Sequence, residues 1–100
     1  MKVLFQGLVE DVGKILSIQL GPLEEEPAKP VSRVLQISAP RILESLKPRE
    51  EISVNGVCLT IQECTEQCFS VQIWTATELK TMLGDLQVGD RVNLERNRVP

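Results

Sequence analysis

Ser53-Val54-Asn55-Gly56-Val57-Cys58-Leu59-Thr60-Ile61-Gln62 is the stretch whose reading decides the fold. Asn-Gly between two apolar, β-branched runs is a strong hairpin signal, because a two-residue turn needs positive φ at both of its positions. With Asn55-Gly56 as that turn, Val54 faces Val57, Ser53 faces Cys58 and Ile52 faces Leu59. Side chains alternate across a strand, so the hairpin divides into two faces. Ile52, Val54, Val57, Leu59 and Ile61 form an apolar face that belongs to a core. Glu51, Ser53, Cys58, Thr60 and Gln62 form the other.

Working outward, residues 63–68 read as a polar turn, after which Phe69, Val71 and Ile73 alternate with Ser70, Gln72 and Trp74. Pairing Cys64 with Cys68 sets Ile61 against Val71 and Leu59 against Ile73 in the core. On the other side it sets Thr60 beside Gln72 and Cys58 beside Trp74. That surface of thiol, hydroxyl, amide and indole groups suits a planar heteroaromatic ring. It equally suits a solvated sheet face with its one Trp at a subunit contact.

Before the hairpin, residues 4–20 read as one long or bent strand, with Gly7 and Gly13 marking a bulge or a close backbone approach. The run from Gly21 carries three prolines and three consecutive glutamates, and a flexible acidic loop is placed at 21–33. It overlaps the start of a second strand at 31–38. Pro40 opens a short helical segment over 41–46, ended by Pro48. After the central strands, Thr75 or Thr77 caps a second short helix over 78–83, closed by Gly84. Residues 85–90 form a turn and 91–95 a last strand with Val92 and Leu94 inward. Six antiparallel strands, two short helices and no βαβ spacing predict an all-β, six-stranded antiparallel Greek-key barrel, one domain over 1–100.

The totals exclude several classes. The chain has 100 residues, 42% hydrophobic and 25% charged, with a net charge of −3. No basic cluster points to nucleic acid or an anionic membrane. No run suggests a signal peptide or a membrane span, so the cytoplasm is the expected compartment. The absence of His removes His-based triads and most zinc sites. Cys58, Cys64 and Cys68 contain no C-x-x-C pair and are expected as free thiols.

Four segments then resemble one family. Phe5-Gln6-Gly7-Leu8-Val9-Glu10-Asp11-Val12-Gly13 is similar to the F-[TS]-G-I-[IV]-E-x-x-G start of riboflavin synthase. Ser53 through Thr60 resembles its A-V-N-G-V-C-L-T signature. Thr81-Met82-Leu83-Gly84-Asp85-Leu86 resembles T-N-L-G-D-L, and Val88 through Arg96 resembles V-G-D-x-V-N-L-E-R. In order and spacing they span nearly the whole chain, matching the amino-terminal, lumazine-binding half of that enzyme.

The resemblance implies a barrel that binds 6,7-dimethyl-8-ribityllumazine or riboflavin. The family reaction passes a four-carbon unit between two lumazines held face to face between two barrels, with no metal and no organic cofactor. The binding segments it implies are Gly7, Leu8 and Val9; Cys58, Leu59 and Thr60; and Gln72, Ile73, Trp74, Thr75, Ala76 and Thr77. It assigns no catalytic residue. Departures fall on Glu51, where the family has Ser, on Gln72, where it has Asp, and on Trp74, where it has Met-like residues. Ala76-Thr77-Glu78-Leu79 stands where the family has Glu-Thr-Leu-Arg. The second barrel is missing from this sequence, so binding is expected ahead of turnover, with a homodimer supplying the second barrel. The alternatives are a non-catalytic flavin or lumazine carrier and a barrel used only for protein interaction.

Overall fold

The computed structural model describes residues 7–20, 32–74 and 82–96, with Leu20, Ser32, Trp74, Met82 and Gly84 described by their backbone alone. The strands are β1 (Asp11–Leu20), β2 (Ser32–Ile37), β3 (Glu51–Val54), β4 (Val57–Cys64), β5 (Phe69–Trp74) and β6 (Arg91–Arg96). All neighbours pair antiparallel, and the sheet closes in the order β1-β2-β5-β4-β3-β6. Closure leaves no free edge along the sheet.

The hairpin has the register expected of it: Val54 pairs with Val57, Ser53 with Cys58 and Ile52 with Leu59. Asn55 and Gly56 have φ of 51° and 85°, the conformation of a tight two-residue turn. The turn is tied to β6, since Asn93 N donates to Asn55 Oδ1 at 2.7 Å and Asn55 N donates to Asn93 O at 2.9 Å. The predicted apolar face lies inside. Ile52, Val54, Ile61, Val71, Val92 and Leu94 are buried around Phe69, the largest fully buried side chain among the described residues.

Several boundaries differ from the sequence expectation, each for a local reason. Cys64 pairs with Phe69, not Cys68, yet Ile61 still meets Val71, because a β-bulge lies between Ile61 and Glu63. The extra residue, Gln62, absorbs the one-residue shift. A second irregularity lies between Ile15 and Ser17, and Leu16, on the outer side of the alternating strand, is 43% exposed. Of the strand expected from residue 4, residues 4–6 lie outside the described residues, residues 7–10 are irregular, and β1 begins at Asp11. Ser32 and Arg33 belong to β2, where they pair with Trp74 and Ile73; residues 21–31 of the expected loop lie outside the described residues.

The expected helix at 41–46 is a single 3₁₀ turn, Leu43–Ser45. The caps Thr75 and Thr77 and most of the second helix lie outside the described residues. Gly84 falls inside the 3₁₀ turn Met82–Asp85, not beyond its end. Gly13 marks a close approach, as expected: a Cβ there would stand 2.2 Å from Ser38 O.

Candidate ligand-binding face and an adjoining cavity

Alternation along β4 turns Cys58 and Thr60 outward, and both are exposed. Their neighbours Leu59 and Ile73 point the other way, 7% and 1% exposed, so at this face they offer backbone groups only. Glu51 is the ladder partner of Thr60. Its Oε2 accepts a hydrogen bond from Cys58 Sγ at 2.9 Å. Next along the sheet, Gln62 Nε2 donates to Gln72 Oε1, so Gln72 meets Gln62 where Thr60 was expected. The β4–β5 ladder runs from Cys64–Phe69 to Ile61–Val71 and has no pair beyond it toward Cys58 and Trp74. Thr75, Ala76 and Thr77 lie outside the described residues.

The electrostatics at Cys58 oppose nucleophilic chemistry. Desolvation, the hydrogen bond to Glu51 and the negative charge of that carboxylate together push the thiol from 9.0 up to about 11. Each cause favours the neutral S–H, so the thiolate needed for attack is scarce at neutral pH. At pH 8 an upward shift of this size is expected to slow iodoacetamide labelling of Cys58 about a hundredfold against an ordinary thiol. Glu51→Gln moves the labelling midpoint back toward 9.0. Peptide mass spectrometry across pH reads this site apart from Cys64, and a midpoint unmoved by Glu51→Gln refutes the carboxylate's role.

A cavity of about 780 Å³ adjoins this face beyond β3. It brings together residues far apart in sequence: Gly7 and Val9, Ser53, the hairpin tip, Leu83, Asp85 and Leu86, and Asp90 with Asn93, Leu94 and Glu95. Of the sequence-derived site residues, Gly7 and Val9 line it. Leu8 is 57% exposed, and neither it, Cys58, Thr60 nor Gln72 is among the lining residues. Ser53 lies on the polar side of the hairpin as expected, but it is 6% exposed, and its β6 partner Glu95 is 5% exposed. Gly7 N donates to Glu95 Oε2 at 3.2 Å.

Glu95 and Arg96 are neighbours on β6. Consecutive strand residues point to opposite faces, and Arg96 grips Glu10. Its Nε donates to Glu10 Oε2 at 3.0 Å, its N donates to Glu10 Oε1 at 2.8 Å, and its Nη1 donates to Ser45 Oγ at 2.8 Å. The hydrogen bonds to Glu10 push the guanidinium further up from its ordinary value. Asn55, Asp85, Asp90 and Asn93 were not singled out as site residues. The alternation of Asn93 and Glu95 with Val92 and Leu94 was the available signal, since it places both on one side of β6.

Comparison with known proteins bears on the family and the fold. The lumazine binding domain family matches residues 6–97. The chain is 34% identical over 93 residues to a riboflavin synthase of Bacillus subtilis, covering 93% of this chain and 40% of the relative. It is 35% identical over 102 residues to the blue fluorescence protein of Aliivibrio fischeri, covering 94% and 50%. Among solved structures, LumP complexed with 6,7-dimethyl-8-(1'-D-ribityl) lumazine superposes with a TM-score of 0.74 at 26% identity, covering 96% of this chain and 49% of LumP. LumP complexed with flavin mononucleotide superposes with a TM-score of 0.75 at 29% identity, covering 93% and 49%. The chain thus spans two fifths to one half of these relatives. By its matched residues and its closed six-stranded barrel, it belongs to the lumazine binding domain family.

Proposed function

We propose that this barrel binds 6,7-dimethyl-8-ribityllumazine or riboflavin on the outer face of β4 and β5. The observation that carries the reading is the outward, exposed pair Cys58 and Thr60 beside the point where the β4–β5 ladder stops. A pteridine ring edge carries both hydrogen-bond donors and acceptors, and strand backbone and the Thr60 hydroxyl supply their complements. The homologous LumP barrels complexed with a ribityl lumazine and with flavin mononucleotide support the ligand class. Gly7, Leu8 and Val9 and the segment 75–77 complete the proposed site. Cys58 contributes contact, not covalent chemistry.

The reading needs no metal and no organic cofactor. Forming riboflavin from two lumazines needs two ligands face to face, each oriented and shielded from water. One barrel supplies one of those places. We place the other on a second copy of this chain. Exposed Val12, Leu16 and Val88 support such a contact. Leu16 and Val88 are the sequence neighbours of a bonded pair, since Gly89 N donates to Ile15 O at 2.8 Å. The three free cysteines suit a reducing cytoplasm. No helix among the described residues is long and apolar enough to cross a membrane.

Gel filtration with riboflavin tests ligand and assembly together. The expected result is visible flavin absorbance eluting with protein at the mass of a dimer. Thr60→Val, which keeps shape and removes the hydroxyl, is expected to weaken binding about tenfold, the loss of roughly 1.4 kcal/mol. No co-elution at micromolar concentration refutes ligand binding, and a protein peak at monomer mass refutes the pairing. Carriage without turnover is the second reading, supported by the ligand-bound LumP barrels. Lumazine incubated with the chain separates the two: riboflavin appearing in the visible spectrum means turnover, and its absence means carriage.

A further inference from the structure

Glu51 brings a carboxylate to the face where Cys58 and Thr60 stand exposed. It is the ladder partner of Thr60, and such partners hold their Cβ atoms about 5 Å apart on one side of the sheet. Its Oε2 accepts from Cys58 Sγ at 2.9 Å, so the carboxylate is held at that face and does not turn away from it. After desolvation by burial, this hydrogen bond and the carboxylate's charge push the Cys58 thiol up to about 11. A ring resting on Cys58 and Thr60 meets the same field.

A charge of like sign within roughly 4–6 Å disfavours the ionised form of its neighbour. The ring of 6,7-dimethyl-8-ribityllumazine can become such an anion. It carries methyl groups on carbons conjugated with ring nitrogens, and a C–H bond there is acidic. That bond breaks, the proton passes to solvent and the electron pair spreads over the ring. We propose that Glu51 makes this face select the neutral pteridine ring over its anion. The selection rests on the ring lying at Cys58 and Thr60. Joining carbon between two lumazines requires a nucleophilic ring carbon, so a face that disfavours the anion suits carriage ahead of turnover. Other ionisable groups border Glu51 among the described residues. Cys58 and Glu63 lie on β4, Glu95 is the β6 partner of Ser53, and Arg49 is exposed on the loop into β3. A neutral isostere at position 51 therefore reads the charge of Glu51 apart from theirs.

The test is an absorbance titration of the lumazine, free and bound to the full chain, over the pH range in which Cys58 keeps its proton. A neutral ring that binds more tightly than its anion loses its proton at higher pH when bound. The bound midpoint is expected about one pH unit above the free one, a preference of about tenfold for the neutral ring. Glu51→Gln, which keeps the shape and removes the charge, is expected to return the midpoint to that of the free ring. Riboflavin, neutral over the same range, is expected to bind parent and variant alike. A bound midpoint at or below the free one overturns the selection while ring binding stands. A midpoint raised equally in Glu51→Gln overturns the assignment to Glu51. If neither lumazine nor riboflavin binds, the ring reading and the selection fall together.

Discussion

Gly13→Ala is expected to abolish cooperative folding of the barrel. The added Cβ would sit 2.2 Å from the carbonyl oxygen of Ser38 and 2.9 Å from both Ile37 Cγ2 and Leu94 Cδ1. The two side chains can turn away, but the carbonyl cannot. Ser38 N donates to Lys14 O at 3.0 Å, and Ser38 Oγ accepts from Lys14 N at 3.0 Å. These bonds hold the Ser38 backbone against β1 at the residue next to Gly13. On its other side Gly13 is the ladder partner of Val92, so β1 cannot back away without opening the β1–β6 seam that closes the barrel. The problem is space, not backbone conformation.

The cost is put above about 4 kcal/mol, the range where a single substitution breaks a small domain. Thermal unfolding followed by far-ultraviolet circular dichroism is the measurement. The variant is expected to show no cooperative transition, and a melting temperature within a few degrees of the parent refutes the close approach.

How much of this was legible in the sequence depends on the distance over which each feature is determined. The Asn55-Gly56 turn and the inward run Ile52, Val54, Leu59 and Ile61 follow from local rules, backbone conformation and the two-residue period, and the structure reproduces them. The bulge at Gln62 escaped because a polar residue in a polar stretch breaks no visible pattern. Leu16 is apolar yet exposed because it follows the two-residue period: Asp11, Gly13 and Ile15 are buried, and Val12, Lys14 and Leu16 between them face outward.

Ser53 shows the limit most clearly. Alternation fixes the side of the sheet it occupies, but not whether that side is covered. Its cover depends on elements distant in sequence, as when Gly7 N reaches the carboxylate of Glu95 across 88 positions. No short-range pattern carries that information. The outer face that carries Cys58 and Thr60 was therefore legible as a face, whereas the cavity that adjoins it needed the fold.

Asp11→Ala is expected to destabilise the barrel by roughly 3 kcal/mol, because a buried carboxylate that satisfies three N–H groups is removed. Asp11 lies on β1 at 4% exposure. One oxygen accepts from Val12 N at 2.8 Å, and the other accepts from Arg41 N at 2.7 Å and Ile42 N at 3.2 Å. The two distant donors open the 3₁₀ turn Leu43–Ser45, where an acceptor is wanted for N–H groups with no partner in the turn itself. Ile42, at that turn's own cap position, makes no side-chain capping bond, so the cap comes from 31 residues away. The segment carries Ile42 and Leu46 into the core, 6% and 7% exposed. Removing the carboxylate therefore loosens the plug as well as the bonds. Two readouts separate this from a general loss of stability. The urea midpoint falls in Asp11→Ala and recovers in part in Asp11→Asn, whose side-chain oxygen still accepts. Hydrogen exchange at Arg41 and Ile42 rises under native conditions before exchange in β4 does. Exchange that rises equally across turn and strands would mean that Asp11 acts on the barrel as a whole and not through the turn it caps.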